Sequence, residues 1–310
     1  MASITNLLAA IGVVLLLPQV YRFLNFLWLY FLRPSSVREY LHAPPAYALV
    51  TGASDGIGKA LAKELYDKGF HLILHGRNET KMRAVADEIR ARGTRNVLYF
   101  IADASDAGHD YARMMEPYTD LNITLVVHNV GGSGWHHEKM DAFSENDLVQ
   151  IIQRNAVFPL LLTRTLLPHL RRTAKQGPVL VQFIGSQAAD ISPPRFALYA
   201  ASKSFLRALA RGLDNDERVW GTPSGVKFEY LAVGQVQSNS VRTPATLVCP
   251  TSERFAKAMV SRMGCGLRRY APYMPHAVMQ WAIELMGEKM VDHYTAQAIE
   301  QLITEQEKNA

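Results

Sequence analysis

From Tyr47 onward, short apolar runs alternate with helix-patterned segments, and that alternation restricts the possible folds more than any other feature of the chain. The runs are YALVTG (47–52), FHLILHG (70–76), NVLYFIA (96–102), NITLVVHN (122–129), PVLVQFIG (178–185) and VKFEYLAV (226–233). Each has the length of a strand and is apolar enough to be buried on both faces. Gly56–Lys68 and Glu79–Arg92 have helical apolar spacing, and long helical stretches flank the fifth run. Strands and helices alternating at this interval imply an α/β fold: a doubly wound parallel sheet with crossover helices on both faces. Ser252–Met263 and Pro275–Met286 also read as helices, but pattern alone gives them no place on the sheet.

The first 32 residues are of another kind. Ile4–Tyr21 has no charged side chain. As a helix its eighteen residues rise about 27 Å, close to the roughly 30 Å of a bilayer's hydrocarbon. Arg22 and Asn25 interrupt the run, and FLWLYFL (26–32) follows, rich in the aromatics that favour a membrane interface. The expectation is a membrane anchor ending near Arg22 and then an interfacial helix, together residues 1–32. A Pro-containing linker (33–46) leads to a catalytic domain (47–310). No basic segment precedes the apolar run, which disfavours a cleaved signal peptide; a helix buried in a soluble protein is the other reading. The net charge of +5 includes no polybasic run, so nucleic acid is not an expected partner. The two cysteines form no zinc-ligand spacing and no disulfide framework, and no metal site is expected.

VTGASDGIGKALAKEL (50–65) joins the first strand to the first helix. Gly52, Gly56 and Gly58 permit a tight turn and close approach of a pyrophosphate, which the helix N-terminus stabilises. Thr51, Ser54 and Asp55 supply hydrogen-bonding groups within it. The second strand ends His75-Gly76-Arg77-Asn78, without the carboxylate that binds the ribose 2′-hydroxyl of NAD. Arg77 suits a 2′-phosphate instead, which points to NADP(H).

In ALYAASKSFLRALARGL (197–213), Tyr199 and Lys203 stand four residues apart and so on one helix face. A free tyrosine titrates near 10 and transfers protons poorly at neutral pH. An adjacent ammonium favours the phenolate, poising the phenol as a proton donor to a carbonyl oxygen. Such pairs are common on helices; the setting gives this one weight. Ser186 ends the fifth apolar run, Asn129 ends the fourth, and Asn155 lies in the helical stretch between them.

Thr51-Gly52-x-x-x-Gly56-Ile57-Gly58, Asn129, Asn155, Ser186, Tyr199 and Lys203 together resemble the short-chain dehydrogenase/reductase superfamily, over roughly Tyr47–Met286. The resemblance implies a Rossmann-type sheet. Tyr199 is then the general acid in reduction, and Ser186 the hydrogen-bond donor to the substrate carbonyl. Lys203 holds the nicotinamide ribose, and Asn155 positions a water in a proton relay. The same resemblance implies Asp103 contacting adenine, Asn129 supporting the cofactor, and Val236 and Ser238 lying in the stretch that meets the nicotinamide. The anchor, HNVG and the segment VCPTSERFAKAMVSRMGCGLRRYAPYMPHAVMQW (248–281) are similar to membrane-bound very-long-chain 3-oxoacyl-CoA reductases and related 17β-hydroxysteroid dehydrogenases. Three positions depart from that subgroup: His128 where asparagine is usual, Gly185 where serine is, and Val233 where proline is.

The implied activity is NADPH-dependent reduction of a ketone on a lipophilic substrate, a long-chain 3-oxoacyl-CoA or a ketosteroid, at the endoplasmic-reticulum membrane with the domain facing the cytosol. Membrane lipid is a partner of the anchor, and Arg268 and Arg269 are candidates for the phosphates of CoA. The apolar stretch Asp147–Leu170 offers a helix-pair interface for a homodimer. A specialised-metabolism ketoreductase, or an inactive membrane-tethered binding protein of the same fold, are the alternatives.

Overall fold

The computed structural model describes residues 3–132, 138–239, 241 and 243–308. Seven strands, β1 (Ala46–Val50), β2 (His71–Gly76), β3 (Val97–Ile101), β4 (Asn122–His128), β5 (Val179–Ile184), β6 (Val226–Leu231) and β7 (Arg269–Tyr270), form one sheet in the order β3-β2-β1-β4-β5-β6-β7. All pairings are parallel. The six apolar runs of the sequence are β1–β6. The two-residue β7 carries no pattern that a sequence could show.

The helices are α1 (Ile4–Leu27), α2 (Gly56–Lys68), α3 (Glu79–Arg90), α4 (Tyr111–Met115), α5 (Glu145–Ile152), α6 (Phe158–Thr173), α7 (Ala188–Ile191), α8 (Ala197–Arg218), α9 (Ser252–Arg262), α10 (Met274–Leu285) and α11 (Glu288–Lys308). Successive strand side chains point to opposite faces, and each face has its own core. Ala48, Val50, Leu72, Leu74, Leu125 and Val127 pack under Leu61, Leu65, Met82, Ile89, Phe255 and Met259 of α2, α3 and α9. Leu49, Ile73, Val126, Val181 and Phe228 pack under Phe158, Leu162, Leu166 and Leu206 of α6 and α8. Each fully buried Leu or Phe contributes about 1.5–3 kcal/mol. The chain turns back at β1 and crosses to β4 on the other side, so a crevice opens between the carboxyl ends of these two strands. α2 starts there at Gly56 and ends on Gly69, whose left-handed φ of 115° lets its N–H bond back to the last turn.

The N-terminal segment departs from expectation at its base. α1 runs unbroken through Arg22 to Leu27 and continues as a π-helical turn, Trp28–Leu32. A charged residue ends an apolar run but has no tendency to end a helix. Ile4–Leu32 contains an 18-residue window with a mean hydropathy of 1.9 and is the one helix among the described residues long and apolar enough to cross a membrane. Its outer part is bare, with Leu16 and Leu17 more than 60 % exposed. Its base is docked. Phe23 and Phe26 stack on Trp281 of α10, and Arg22 lies 3.7 Å from Glu284. The Tyr30 hydroxyl donates to the Ala271 carbonyl, and the Arg262 guanidinium covers the Tyr30 ring. The following residues are packed too: Arg33 donates to Gly264 O at 2.8 Å, Ser36 to Met263 O at 2.9 Å, and Val37 and Tyr40 are buried.

Candidate active site

The turn after β1 is built around Thr51 and Asn129. The Thr51 hydroxyl accepts the N–H groups of Asn129 (2.9 Å) and Val130 (3.1 Å). The Asn129 amide donates to the carbonyls of Thr51 and Gly52, each at 3.1 Å. Gly52 and Gly56 have φ of 64° and 51°, the left-handed region. At Gly58 the constraint is contact: a Cβ there would lie 2.1 Å from Gly52 O. Asp55 occupies the N-cap of α2 with no side-chain bond to the first turn, so that turn presents its N–H groups to the crevice. Ser54 lies against Gly76, and Ile57 is half-buried against the core. Ser238 reaches the same turn from beyond β6: a Cβ on Gly56 would stand 3.0 Å from Ser238 Cβ. Val236, two residues earlier, is buried.

At the other end of the crevice Arg77 follows β2 with 70 % of its side chain exposed, its Nη1 3.6 Å from Asp103. Burial would raise the Asp103 carboxyl, but the Ser105 N–H donating to it at 2.9 Å, together with the charge of Arg77, holds it below its usual value. One participant carries no sequence signature. His75, buried at the end of β2, accepts the Gly52 N–H on Nδ1 (3.3 Å) and meets the Ala102 carbonyl through Nε2 (3.0 Å). It joins the ends of β1, β2 and β3, and burial pushes its pKa down to about 4, so it stays neutral.

Asn155, Ser186, Tyr199 and Lys203 converge beyond β4 and β5. Asn155 lies in a π-helical turn, Gln153–Val157, between α5 and α6. This turn gives the helix one extra residue. Asn155 is fully buried there; its oxygen accepts the Gly132 N–H (2.9 Å) and its amide donates to Ser202 (3.2 Å). Lys203 Nζ donates to the Ile184 carbonyl at 2.8 Å and sits 5.6 Å from the centre of the Tyr199 ring. Gly131 fits between these groups: a Cβ on it would be 3.1 Å from both Asn155 Oδ1 and Lys203 Nζ. Burial, then the charge of Arg154, pushes the Lys203 ammonium down to about 8. Arg154 is half-buried nearby and donates to Gly132 O at 2.6 Å. For Tyr199 the balance differs from the sequence expectation. Burial raises its pKa, and the opposing influence is a hydrogen bond with Ser186 rather than the ammonium.

Tyr199 forms one wall of a cavity of about 200 Å³. Met140, Phe143, Leu148, Ile151 and Leu198 supply apolar lining, and Lys139, Arg195 and Glu138 bring charge of both signs to it. Arg268 and Arg269 are engaged elsewhere. Arg268 pairs with buried Asp214 at 2.6 Å and Arg269 pairs with Asp190, so the structure matches both charges with carboxylates.

The departures at positions 128 and 233 are absorbed. His128 stacks on Phe183 at 4.9 Å and its Nε2 meets the Thr163 hydroxyl, one step outside the Asn129 network. Val233 is buried and its carbonyl accepts the Gln187 N–H. The loop after it is held by His276, which accepts Gly234 N–H on Nδ1 and meets the carbonyls of Gln235 and Val248 through Nε2. Nothing local in the sequence marks His276, some forty residues from the loop it secures.

Residues 46–245 match the family model described as short chain dehydrogenase. The very-long-chain 3-oxoacyl-CoA reductase of Kluyveromyces lactis is 32 % identical over 281 residues, covering 86 % of this chain and 80 % of the relative. A short-chain dehydrogenase from Sphingobium yanoikuyae, solved in complex with NADPH, superposes with a TM-score of 0.64 at 21 % identity, covering 76 % of this chain and 91 % of its own. The 3-oxoacyl (acyl-carrier-protein) reductase of Agrobacterium tumefaciens C58, solved with NADP bound, gives 0.64 at 23 % identity over 78 % of this chain and 98 % of its own. With the parallel sheet, the glycine turn and the Ser-Tyr-Lys cluster at its crevice, these matches place the chain in the short chain dehydrogenase family, oxidoreductases acting on C=O and CH–OH groups.

Proposed function

We propose that this protein reduces the ketone of a long-chain 3-oxoacyl-CoA to the 3-hydroxyacyl-CoA with NADPH, at a membrane. The observation that carries the proposal is the position of Tyr199, which lines the apolar cavity with the Lys203 Nζ 5.6 Å from the centre of its ring. A ketone carried on a long acyl chain would meet a proton donor where an apolar wall receives the chain. The name of the Kluyveromyces relative supports the substrate class.

The residues fit the cofactor. The cradle formed by Gly52, Gly56 and Gly58 keeps clear the space that a Cβ would fill, and the first turn of α2 offers N–H donors to a pyrophosphate. Arg77, largely exposed beside the crevice, would take the 2′-phosphate, Asp103 the adenine and Lys203 the nicotinamide ribose. Val236 and Ser238 would border the nicotinamide. NADPH bound there supplies the hydride to the ketone carbon. The remaining work is the protein's. Ser186 donates a hydrogen bond to the ketone oxygen and holds it beside Tyr199. Tyr199, kept protonated by burial, gives its hydroxyl proton to that oxygen as negative charge develops. The Lys203 ammonium stabilises the phenolate left behind, and Asn155 would position a water in the relay that returns a proton from solvent to Tyr199.

NADPH oxidation by detergent-solubilised protein, followed at 340 nm against 3-oxoacyl-CoAs of increasing length and 17-ketosteroids, tests the proposal. Turnover confined to the long-chain thioesters is expected; turnover on steroids alone, or on neither class, refutes it.

A further inference from the structure

We propose that Tyr230 is a positioning residue for Ser186, and that glycine at 185 is its structural counterpart. Tyr230 is on β6, buried, opposite Phe183 in the register. Its hydroxyl does not stay with its own strand. It accepts the Ser186 N–H at 2.9 Å and donates to the Ser186 carbonyl at 3.0 Å. One phenol thus grips both backbone groups of the residue that receives the substrate oxygen.

Ser186 stands where such a grip is required. The N–H groups on either side of it, those of Gly185 and Gln187, bond to the β6-side carbonyls of Leu231 and Val233. The Ser186 N–H lies between them and faces away from β6, past the end of the β4–β5 pairing at His128 and Phe183. A parallel strand leaves alternate N–H groups facing alternate neighbours. Without the phenol this donor would have no strand partner. The side-chain oxygen of Ser186 meanwhile accepts the Ala188 N–H at 3.1 Å, so its rotamer too depends on where the backbone is held.

Gly185 makes the reach possible. A Cβ at 185 would lie 2.0 Å from Tyr230 Cζ, 2.2 Å from Cε2 and 2.4 Å from the hydroxyl. The aromatic ring passes through the volume that any other side chain would occupy. Gly185 has no positive φ, so the glycine is required by contact and not by conformation. The departure at 185 from the serine usual in the related reductases is therefore one half of a pair. The other half is 45 positions away on the neighbouring strand.

The consequence for catalysis is specific. Tyr230 is not among the residues that line the cavity, and its hydroxyl reaches the site at the backbone of Ser186, through which it would act on the ketone. Tyr230→Phe keeps the ring and removes the grip. On the proposed ketone reduction, on which this inference rests for its activity readout, kcat should fall on the order of tenfold, with the Kd for NADPH unchanged. In a Ser186→Ala background the same Tyr230→Phe change should cost nothing further, because the hydroxyl it positions is already gone. An equal fold-loss in both backgrounds, or an unchanged kcat, overturns the proposal. The steric half is read without substrate. Gly185→Ala should lower the Tm of the NADPH-bound protein, and Gly185→Ala combined with Tyr230→Ser should lie above the additive sum of the two single changes. Strict additivity in Tm overturns the pairing. If no ketone is turned over while that coupling is found, the substrate proposal fails and the Gly185–Tyr230 pairing stands.

Discussion

At the scale of single residues, the site divides the labour between groups that differ in what burial does to them. Burial raises the phenol of Tyr199 and lowers the ammonium of Lys203, moving each toward its neutral form. Tyr199 therefore holds its proton more tightly, while Lys203, at about 8, is still mostly an ammonium at neutral pH; in the proposed reduction, negative charge arriving on the ketone oxygen would draw the Tyr199 proton out. Tyr199→Phe removes that proton and little volume, so turnover should fall by roughly 10²–10⁴ while NADPH still binds; more than half of wild-type kcat remaining would assign the proton to another group. Arg77→Ala removes a largely exposed cation that lies 3.6 Å from Asp103. A charge-assisted bond is worth about 1.5–3 kcal/mol, so NADPH affinity should drop roughly ten- to a hundred-fold with NADH little changed. Isothermal titration with the two cofactors decides it, and equal losses would make Arg77 structural. Of the site residues, Thr51, Asn129, Asn155, Ser186, Tyr199 and Lys203 were legible because polar side chains that follow or punctuate apolar runs are conspicuous. His75, Tyr230 and His276 were not. They act through ring nitrogens or, for Tyr230, the phenolic hydroxyl on backbone groups far along the chain, and a histidine or tyrosine inside an apolar segment reads as ordinary core.

At the scale of elements, the six strands and the helices α2, α3, α8, α9 and α10 follow from apolar period alone. What escaped the pattern is short or set by packing. β7 has two residues and α7 four, too few for any period. The π-helical turn at Gln153–Val157 interrupts a stretch that reads as one helix from Asp147 to Leu170. The glycine turn is an element whose backbone and side-chain constraints can be separated. Gly58 lies within helix α2 with ordinary φ, so a Gly→Ala change there would favour the helix by up to about 1 kcal/mol if space were the same. Space is not the same, because the new Cβ would fall 2.1 Å from Gly52 O and 2.6 Å from the Asn129 amide. Gly58→Ala should therefore weaken NADPH binding by at least tenfold, the order expected from a lost or displaced hydrogen bond in the cradle, and lower Tm together. A Tm increase with intact binding would mean that the turn relaxes freely.

At the scale of the whole molecule, acid sensitivity should reflect its buried histidines. His75 and His128 are held down to about 4 and about 3 by burial, against an ordinary 6.5. A lowered folded-state pKa means that only the unfolded chain takes up the proton, so their stabilisation is complete above pH 6.5 and declines as pH falls below it. Glu229, fully enclosed by Gln182 and Tyr270, is raised to about 7 and works in the opposite sense, because the folded state keeps a proton that the unfolded chain loses above about 4.5. Between pH 6 and 5 the two histidines outweigh the one carboxyl by one proton, about 1.4 kcal/mol per pH unit. Chemical denaturation at pH 7, 6 and 5 should show stability falling toward acid; a flat or rising profile contradicts it.

Topology is the other molecular-scale prediction. Arg22, Arg33 and Arg38 cluster at the C-terminal end of the apolar helix, which favours a cytosolic domain. Two Asn-x-Thr sequons would suggest a lumenal one. Both asparagines are occupied: Asn78 caps α3 by accepting the Lys81 N–H, and the Asn122 amide donates to the carbonyls of His42 and Ala43. Protease added to intact microsomes should digest the domain without any shift on endoglycosidase treatment; a protected, glycosylated domain would reverse the orientation.

The docked base of α1 fixes more than a contact. With that helix in a bilayer, the stacking of Phe23 and Phe26 on Trp281 and the Arg33–Gly264 bond deny the domain the freedom to swing on a tether. Its mouth then travels at a constant height and tilt above the lipid. A substrate carried in the same lipid would then meet the enzyme by lateral diffusion in a plane, and the frequency of productive encounters would be governed by surface density rather than by bulk concentration.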